Sequence, residues 1–86
     1  MIDEKTNPVP WSQLVYGLED AQEHLKDLVG KMTADGSIDE EELRVSLGHI
    51  YAHLNRAWHS RDLHDEVSEQ DWERLSRFPE DVTPVG

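Results

Sequence analysis

The feature that most constrains the fold is a stripe of apolar or small residues that recurs every three or four positions. In the first half of the chain the stripe consists of Trp11, Leu14, Leu18, Ala21, Leu25, Leu28 and Met32. This spacing places side chains on one face of an α-helix, whereas a strand would need a spacing of two. The pattern therefore predicts a first helix over residues 11–32. Residues 1–10, which include two prolines, are expected to form an extended or disordered arm.

A second stripe with the same spacing follows a predicted turn at Gly36. It consists of Leu43, Leu47, Ile50, Leu54 and Ala57. Ser37 and Glu40 have the spacing of a capping box, which begins a helix. A second helix is therefore predicted over residues 38–61. Two helices joined by a short turn form an antiparallel hairpin.

A third, shorter helix is predicted over residues 69–78. Ser68 has the position of its N-cap, with an aspartate three residues later, and a proline ends it. Its apolar face would consist of Trp72, Leu75 and Phe78. Residues 79–86 are expected to form a flexible tail, so residues 11–78 make up a single all-α domain.

Additional large side chains widen the stripes on one side of the hairpin. At about 100° per residue, this surface gathers Trp11, Val15, Val29, Tyr51 and Trp58, with Trp72 from the third helix. A two-helix contact is too narrow to cover it, and a short hairpin that exposed it would be marginally stable. We therefore predict that the surface is core or dimer interface, and that dimerisation completes a four-helix bundle.

The composition excludes several classes of function. The 86 residues carry 19 acidic and 8 basic side chains, for a formal net charge of −11, and no cysteine. A chain without cysteine has no disulfide scaffold, no thiolate nucleophile and no Cys-ligated zinc. The negative charge argues against direct binding to nucleic acid or to an anionic membrane. No apolar run is long enough to span a bilayer, and a cytoplasmic protein is expected.

Histidines provide the first candidate site. His49 and His53 lie four residues apart and so face the same way on the second helix, as metal-binding pairs do. Glu42 and His24 are predicted to lie on the same side of the hairpin. The alternative interpretation is a set of solvated side chains, because the Glu-x-x-His and His-Glu-x-x-His spacings of helical metal sites are absent. The sequence alone therefore assigns no metal or other cofactor.

The turn region provides a second candidate. Residues 35–42 resemble the second half of an EF-hand calcium loop, with Gly36 and Glu42 at the glycine and bidentate glutamate positions. The first ligand position is then Lys31, whose charge opposes a dication, and a turn glycine followed by a helix cap explains the same residues. Glutamates 40–42 also resemble the carboxylate clusters of helical nucleotide pyrophosphatases, but Leu and Ala occupy most inward positions. No serine elbow or phosphate loop occurs, and no enzymatic activity is predicted.

The charge is unevenly distributed along the chain. Residues 62–86 hold eight acids and two bases, for −6, whereas residues 43–61 hold no acid. Within that segment Arg56, Trp58 and Arg61 form a basic aromatic patch. The patch is either a binding surface for an acidic partner or neutralised by the acids of residues 62–73.

The function expected from these features is binding. The first hypothesis is a homodimeric helical protein–protein interaction module, whose partners are a second copy of the chain and a second protein. One alternative is an inhibitor whose acidic surface mimics nucleic acid and so blocks a nuclease or another DNA-binding protein. The other alternative is a metal-binding helical protein that uses the histidines.

Overall fold

A computed structural model of the protein describes residues 2–61 and 68–86. Within those ranges the chain forms three helices, α1 (Pro8–Asp35), α2 (Glu40–His59) and α3 (Glu69–Leu75). The two long helices pack against each other, and α3 contacts α2. The predicted all-α architecture is confirmed, whereas dimerisation into a four-helix bundle stays a prediction. The acidic segment 62–67, which the sequence analysis placed between the second and third helices, lies outside the described residues.

Helix α1 is longer at both ends than predicted. Pro8 and Pro10 lie in its first turn, where the backbone N–H groups have no intrahelical acceptor, so proline is tolerated. The expectation of an extended arm is therefore wrong for residues 8–10. At the other end Gly36 adopts a left-handed conformation with φ 70° and donates its N–H to the carbonyl of Met32 (2.9 Å). This C-cap suits glycine, which has no Cβ to clash.

Helix α2 begins at Glu40, with Asp39 as its N-cap and no side-chain capping hydrogen bond. The prediction of a capping box at Ser37 is therefore wrong. Three glutamates fill the first turn. Their negative charge interacts favourably with the positive end of the helix dipole, which stabilises the N-terminus of α2 in the absence of a side-chain cap. The helix ends at His59, two residues before the predicted end.

Helix α3 begins as predicted and ends early. The Asp71 N–H donates to Ser68 Oγ (3.2 Å), which confirms the predicted N-cap. The helix ends at Leu75 instead of residue 78. Two effects account for this: Pro79 disfavours helical conformation at the preceding residue, and the Ser76 carbonyl accepts a hydrogen bond from α2.

The buried apolar core of the described residues is small. Its members are Ala21, Leu28, Ile50, Ala57 and Leu75. On one side of the α1–α2 contact the helices leave an apolar groove, lined mainly by Val15, Leu18, Ala21, Leu25, Ile50 and Leu54. Leu18, Leu25 and Leu54 are 45%, 47% and 41% exposed there.

The wider surface predicted to be core or dimer interface is only partly covered. Trp11, Val15 and Trp58 are half-buried, whereas Val29, Tyr51 and Trp72 are more than half exposed.

Among the described residues, no helix combines the length and the apolar content needed to cross a membrane.

Candidate metal site

Three histidines meet on the other side of the α1–α2 contact from the apolar groove. His24 comes from α1, and His49 and His53 come from successive turns of α2. The spacing of four residues puts the α2 pair on one face, and the antiparallel packing brings His24 level with them. We call these three residues the histidine trio.

The ring nitrogens of the trio point toward one another. His49 Nε2 lies 3.2 Å from His24 Nε2 and 3.1 Å from His53 Nε2, and the three ligand atoms all lie within 4.8 Å of one another. A planar ring nitrogen has one in-plane position, which holds either a hydrogen or a lone pair. His49 Nε2 therefore cannot make well-directed hydrogen bonds to both neighbours at once.

A metal ion between the rings would resolve this conflict, because each ring could then direct a lone pair at the ion. Zinc binds histidine nitrogen at about 2.0–2.1 Å in tetrahedral geometry, so neighbouring ligand nitrogens lie about 3.3–3.4 Å apart. The two close Nε2–Nε2 distances of the trio are near this value. The arrangement supplies three nitrogen ligands and leaves a fourth position open.

The charge state of His53 also favours metal binding. Partial burial lowers its pKa below the ordinary value, and the nearby charges of Arg56, His49 and His24 lower it further, while Asp20 acts in the opposite direction. His53 is therefore neutral at pH 7, which is the form that binds a metal. His24 and His49 are exposed, so an ion can reach the site from solvent.

Glu42 lies near the trio but is paired elsewhere. It lines the same groove as His24 and His49, and its carboxylate forms an exposed ion pair with the Lys31 ammonium. These two residues are the last and first ligand positions in the EF-hand register, so an ion pair joins the two ends of the complete loop register. With Gly36 acting as a helix C-cap, the geometry supports the turn-glycine part of the alternative interpretation over a calcium loop, although the capping box at Ser37 does not form.

Arg56, from the predicted basic patch, is bound within the chain. One guanidinium nitrogen donates to Ser76 Oγ (2.8 Å), and another lies 3.2 Å from His53 Nδ1. The guanidinium carbon also lies 4.4 Å from the centre of the Trp72 ring, within the range of a cation–π interaction. Arg56 therefore joins the trio to α3.

The other two residues of the patch are also engaged within the chain. The Trp58 indole N–H donates to Asp81 Oδ1 (2.9 Å), and this hydrogen bond lowers the pKa of the Asp81 carboxyl. Arg61 lies 3.8 Å from the centre of the Trp58 ring and donates to the Trp58 carbonyl (2.6 Å). Among the residues that the structure describes, the acid that contacts the patch is Asp81; half of the acids of the 62–73 segment fall in residues 62–67, outside the described part of the chain.

Sequence reasoning missed Asn55 and Ser76, whose contact holds α3 in place. Asn55 is buried, and its amide donates to the Ser76 carbonyl (3.0 Å). Asn55 follows Tyr51 by four residues and precedes Trp58 by three, so all three lie on one face of the helix. A polar side chain between two aromatic ones was the sequence signal that could have indicated a buried hydrogen bond at Asn55. We call the contacts of Asn55 and Arg56 with Ser76 the Ser76 junction.

Comparisons of the chain with known protein families, curated proteins and solved structures find no match. Its function must therefore be inferred from its own side chains and their geometry.

Proposed function

We propose that the protein binds a divalent transition metal through His24, His49 and His53. The observation that carries this proposal is the pair of Nε2–Nε2 separations, 3.1 and 3.2 Å, that meet on His49. Imidazole nitrogen suits zinc, copper and nickel, whereas magnesium and calcium prefer oxygen ligands. Three protein ligands with an open fourth position are typical of zinc sites that also bind water or a small ligand.

The net charge of the whole chain supports cation binding. The chain has a net charge of −11, which raises the local concentration of cations around it. The metal would connect the middle of α1 to α2, and binding to the folded state alone would stabilise the hairpin.

Isothermal titration of the full chain with zinc chloride tests this proposal. We expect one ion to bind per chain. Replacement of any one of His24, His49 and His53 with glutamine should weaken zinc binding. The loss should exceed the roughly 10–100-fold that follows removal of a residue that only hydrogen-bonds a metal ligand. His59→Gln is the matched control, because His59 lies on α2 outside the trio. The proposal is wrong if the wild type binds no zinc, or if the control loses as much affinity as the trio variants.

A second candidate function is self-association, which the apolar groove favours. Its three leucines are between 41% and 47% exposed, and complete burial of a leucine contributes about 1.5–3 kcal/mol. A second copy of the chain would cover the groove with its own groove and so form a four-helix bundle. The protein would then act as a homodimeric interaction module.

Sedimentation velocity over a range of protein concentrations tests self-association. We expect the wild type to sediment as a dimer and Leu25→Glu, which places a charge in the groove, to sediment as a monomer. Val45→Glu is the control, because Val45 is 61% exposed and lines the groove beside the trio. A wild type that stays monomeric and well folded at high concentration would contradict this candidate.

A further inference from the structure

Arg56 contacts both a proposed metal ligand and the end of α3. Its guanidinium lies 3.2 Å from His53 Nδ1, donates to Ser76 Oγ at 2.8 Å, and lies over the Trp72 ring at 4.4 Å. The guanidinium is a rigid planar group. It therefore cannot move away from His53 without also changing its contacts with Ser76 and Trp72.

The hydrogen bond between Arg56 and His53 fixes where the imidazole hydrogen lies. A guanidinium only donates hydrogen bonds, so His53 Nδ1 must present its lone pair to Arg56. The hydrogen of the neutral ring is then on Nε2, which is the atom that faces the trio. In this tautomer Nε2 has no lone pair for a metal.

Metal coordination requires the opposite tautomer. A neutral histidine bound through Nε2 carries its hydrogen on Nδ1, and in known sites that N–H donates to a carboxylate, a carbonyl or water. At His53 it would instead face an N–H of Arg56. We infer that metal binding by the trio and the His53–Arg56 hydrogen bond exclude each other, so that metal occupancy is coupled to the Ser76 junction. This inference rests on the proposed metal-binding function.

A separate pocket between the three helices contains an acceptor for the groups that separate. Asp20 of α1 lines this pocket together with His53, Arg56 and Trp72. In the metal-bound arrangement its carboxylate would be available to accept a hydrogen bond from the displaced guanidinium or from the new Nδ1–H.

Coupling between two sites is reciprocal. If a bound metal displaces Arg56 from His53, then weakening the contact between Arg56 and α3 must make metal binding easier. Ser76→Ala removes the hydroxyl that accepts from Arg56 and changes no charge. Ser68→Ala is the matched control, because Ser68 caps the other end of α3.

Zinc titration of the full-length wild type and these two variants tests the inference. We expect Ser76→Ala to bind zinc at least about fivefold more tightly, the lower end of typical coupling, and Ser68→Ala to match the wild type within about twofold. Equal affinities for Ser76→Ala and the wild type would overturn the coupling while leaving the metal site intact. An equal gain in both variants would also overturn it, since general loosening of α3 would then be the cause.

Nitrogen-15 NMR of the His53 ring gives a second, direct readout. We expect the hydrogen on Nε2 without metal and on Nδ1 after zinc is added. A ring that carries its hydrogen on Nδ1 in both states would overturn the inference. If the wild type binds no zinc at all, the proposed function fails and the coupling fails with it.

Discussion

The Ser76 junction makes a quantitative prediction at Asn55. The Asn55 amide is buried and donates to the Ser76 carbonyl at 3.0 Å. Asn55→Asp preserves the size and shape of the side chain, but it replaces the donor with a carboxylate oxygen. Two acceptors would then face each other where one hydrogen bond had been.

The expected cost follows from these contacts. Removing the donor leaves buried polar groups without a hydrogen bond, which costs about 1–3 kcal/mol and more where one of them is charged, as the new carboxylate is. We therefore expect Asn55→Asp to lower the free energy of unfolding by at least about 2 kcal/mol. For a domain of this size that corresponds to a drop in Tm of about 8–16 °C.

Urea unfolding followed by circular dichroism, at one fixed protein concentration and pH 7, measures this cost. Asn7→Asp is the matched control, because Asn7 is the N-cap residue of α1. A negative charge there is favourable by about 0.3–1 kcal/mol, so the same chemical change should leave stability unchanged or raise it. A loss of less than about 0.5 kcal/mol at Asn55, a typical surface effect, would refute the role given to the junction.

Three further predictions concern α1, the trio and the C-terminal segment. Gly17→Ala should raise stability by about 0.5–1 kcal/mol in urea, because the added Cβ would lie 3.8 Å from the Ala57 Cβ, an ordinary contact. The pKa of His53 in the folded state lies below 6.5, so near that pH the unfolded state binds more protons than the folded state. The free energy of unfolding should therefore fall as the pH drops through about 6.5. The fall should be smaller in His53→Gln, which has no imidazole at this position. The folded-state pKa of Asp81 is also lowered, so its stabilisation is present above its unfolded value and is lost as the pH falls through the folded value. Trp58→Phe should reduce that acid-dependent loss in urea unfolding measured as a function of pH, because the Trp58 hydrogen bond is the largest of several causes.

The helices were readily predicted because local spacing determines them. The stripes of α1 and α2 follow the period of a helix whatever their partner is, so their existence and pairing followed from the sequence. Their ends depended on competing effects. Pro8 and Pro10 are poor helix residues in general but acceptable in a first turn. Ser37 has the spacing of an N-cap, but α2 begins later, with Asp39 as its N-cap and three glutamates in its first turn.

The candidate site was less predictable because its parts come from distant segments. A helical wheel placed His24 on the same side as His49 and His53, but known metal motifs describe ligands on one helix. The separation between the α1 and α2 ring nitrogens depends on the register of the hairpin, which the turn at Gly36 sets. The Ser76 junction is harder still, since the position of α3 against Asn55 depends on tertiary packing that no local pattern contains.

The two sides of the hairpin are suited to different tasks, and this separates the two candidate functions. The residues that line the apolar groove and those that line the groove beside the trio do not overlap. A metal bound by the trio would bridge α1 and α2 of one chain, whereas self-association would join two chains through the opposite side. A charge introduced at Leu25 should therefore disrupt association without removing a zinc ligand, and His49→Gln should do the reverse. The two surfaces share only the small core between the helices. Metal binding can therefore affect self-association only by changing the stability of the hairpin.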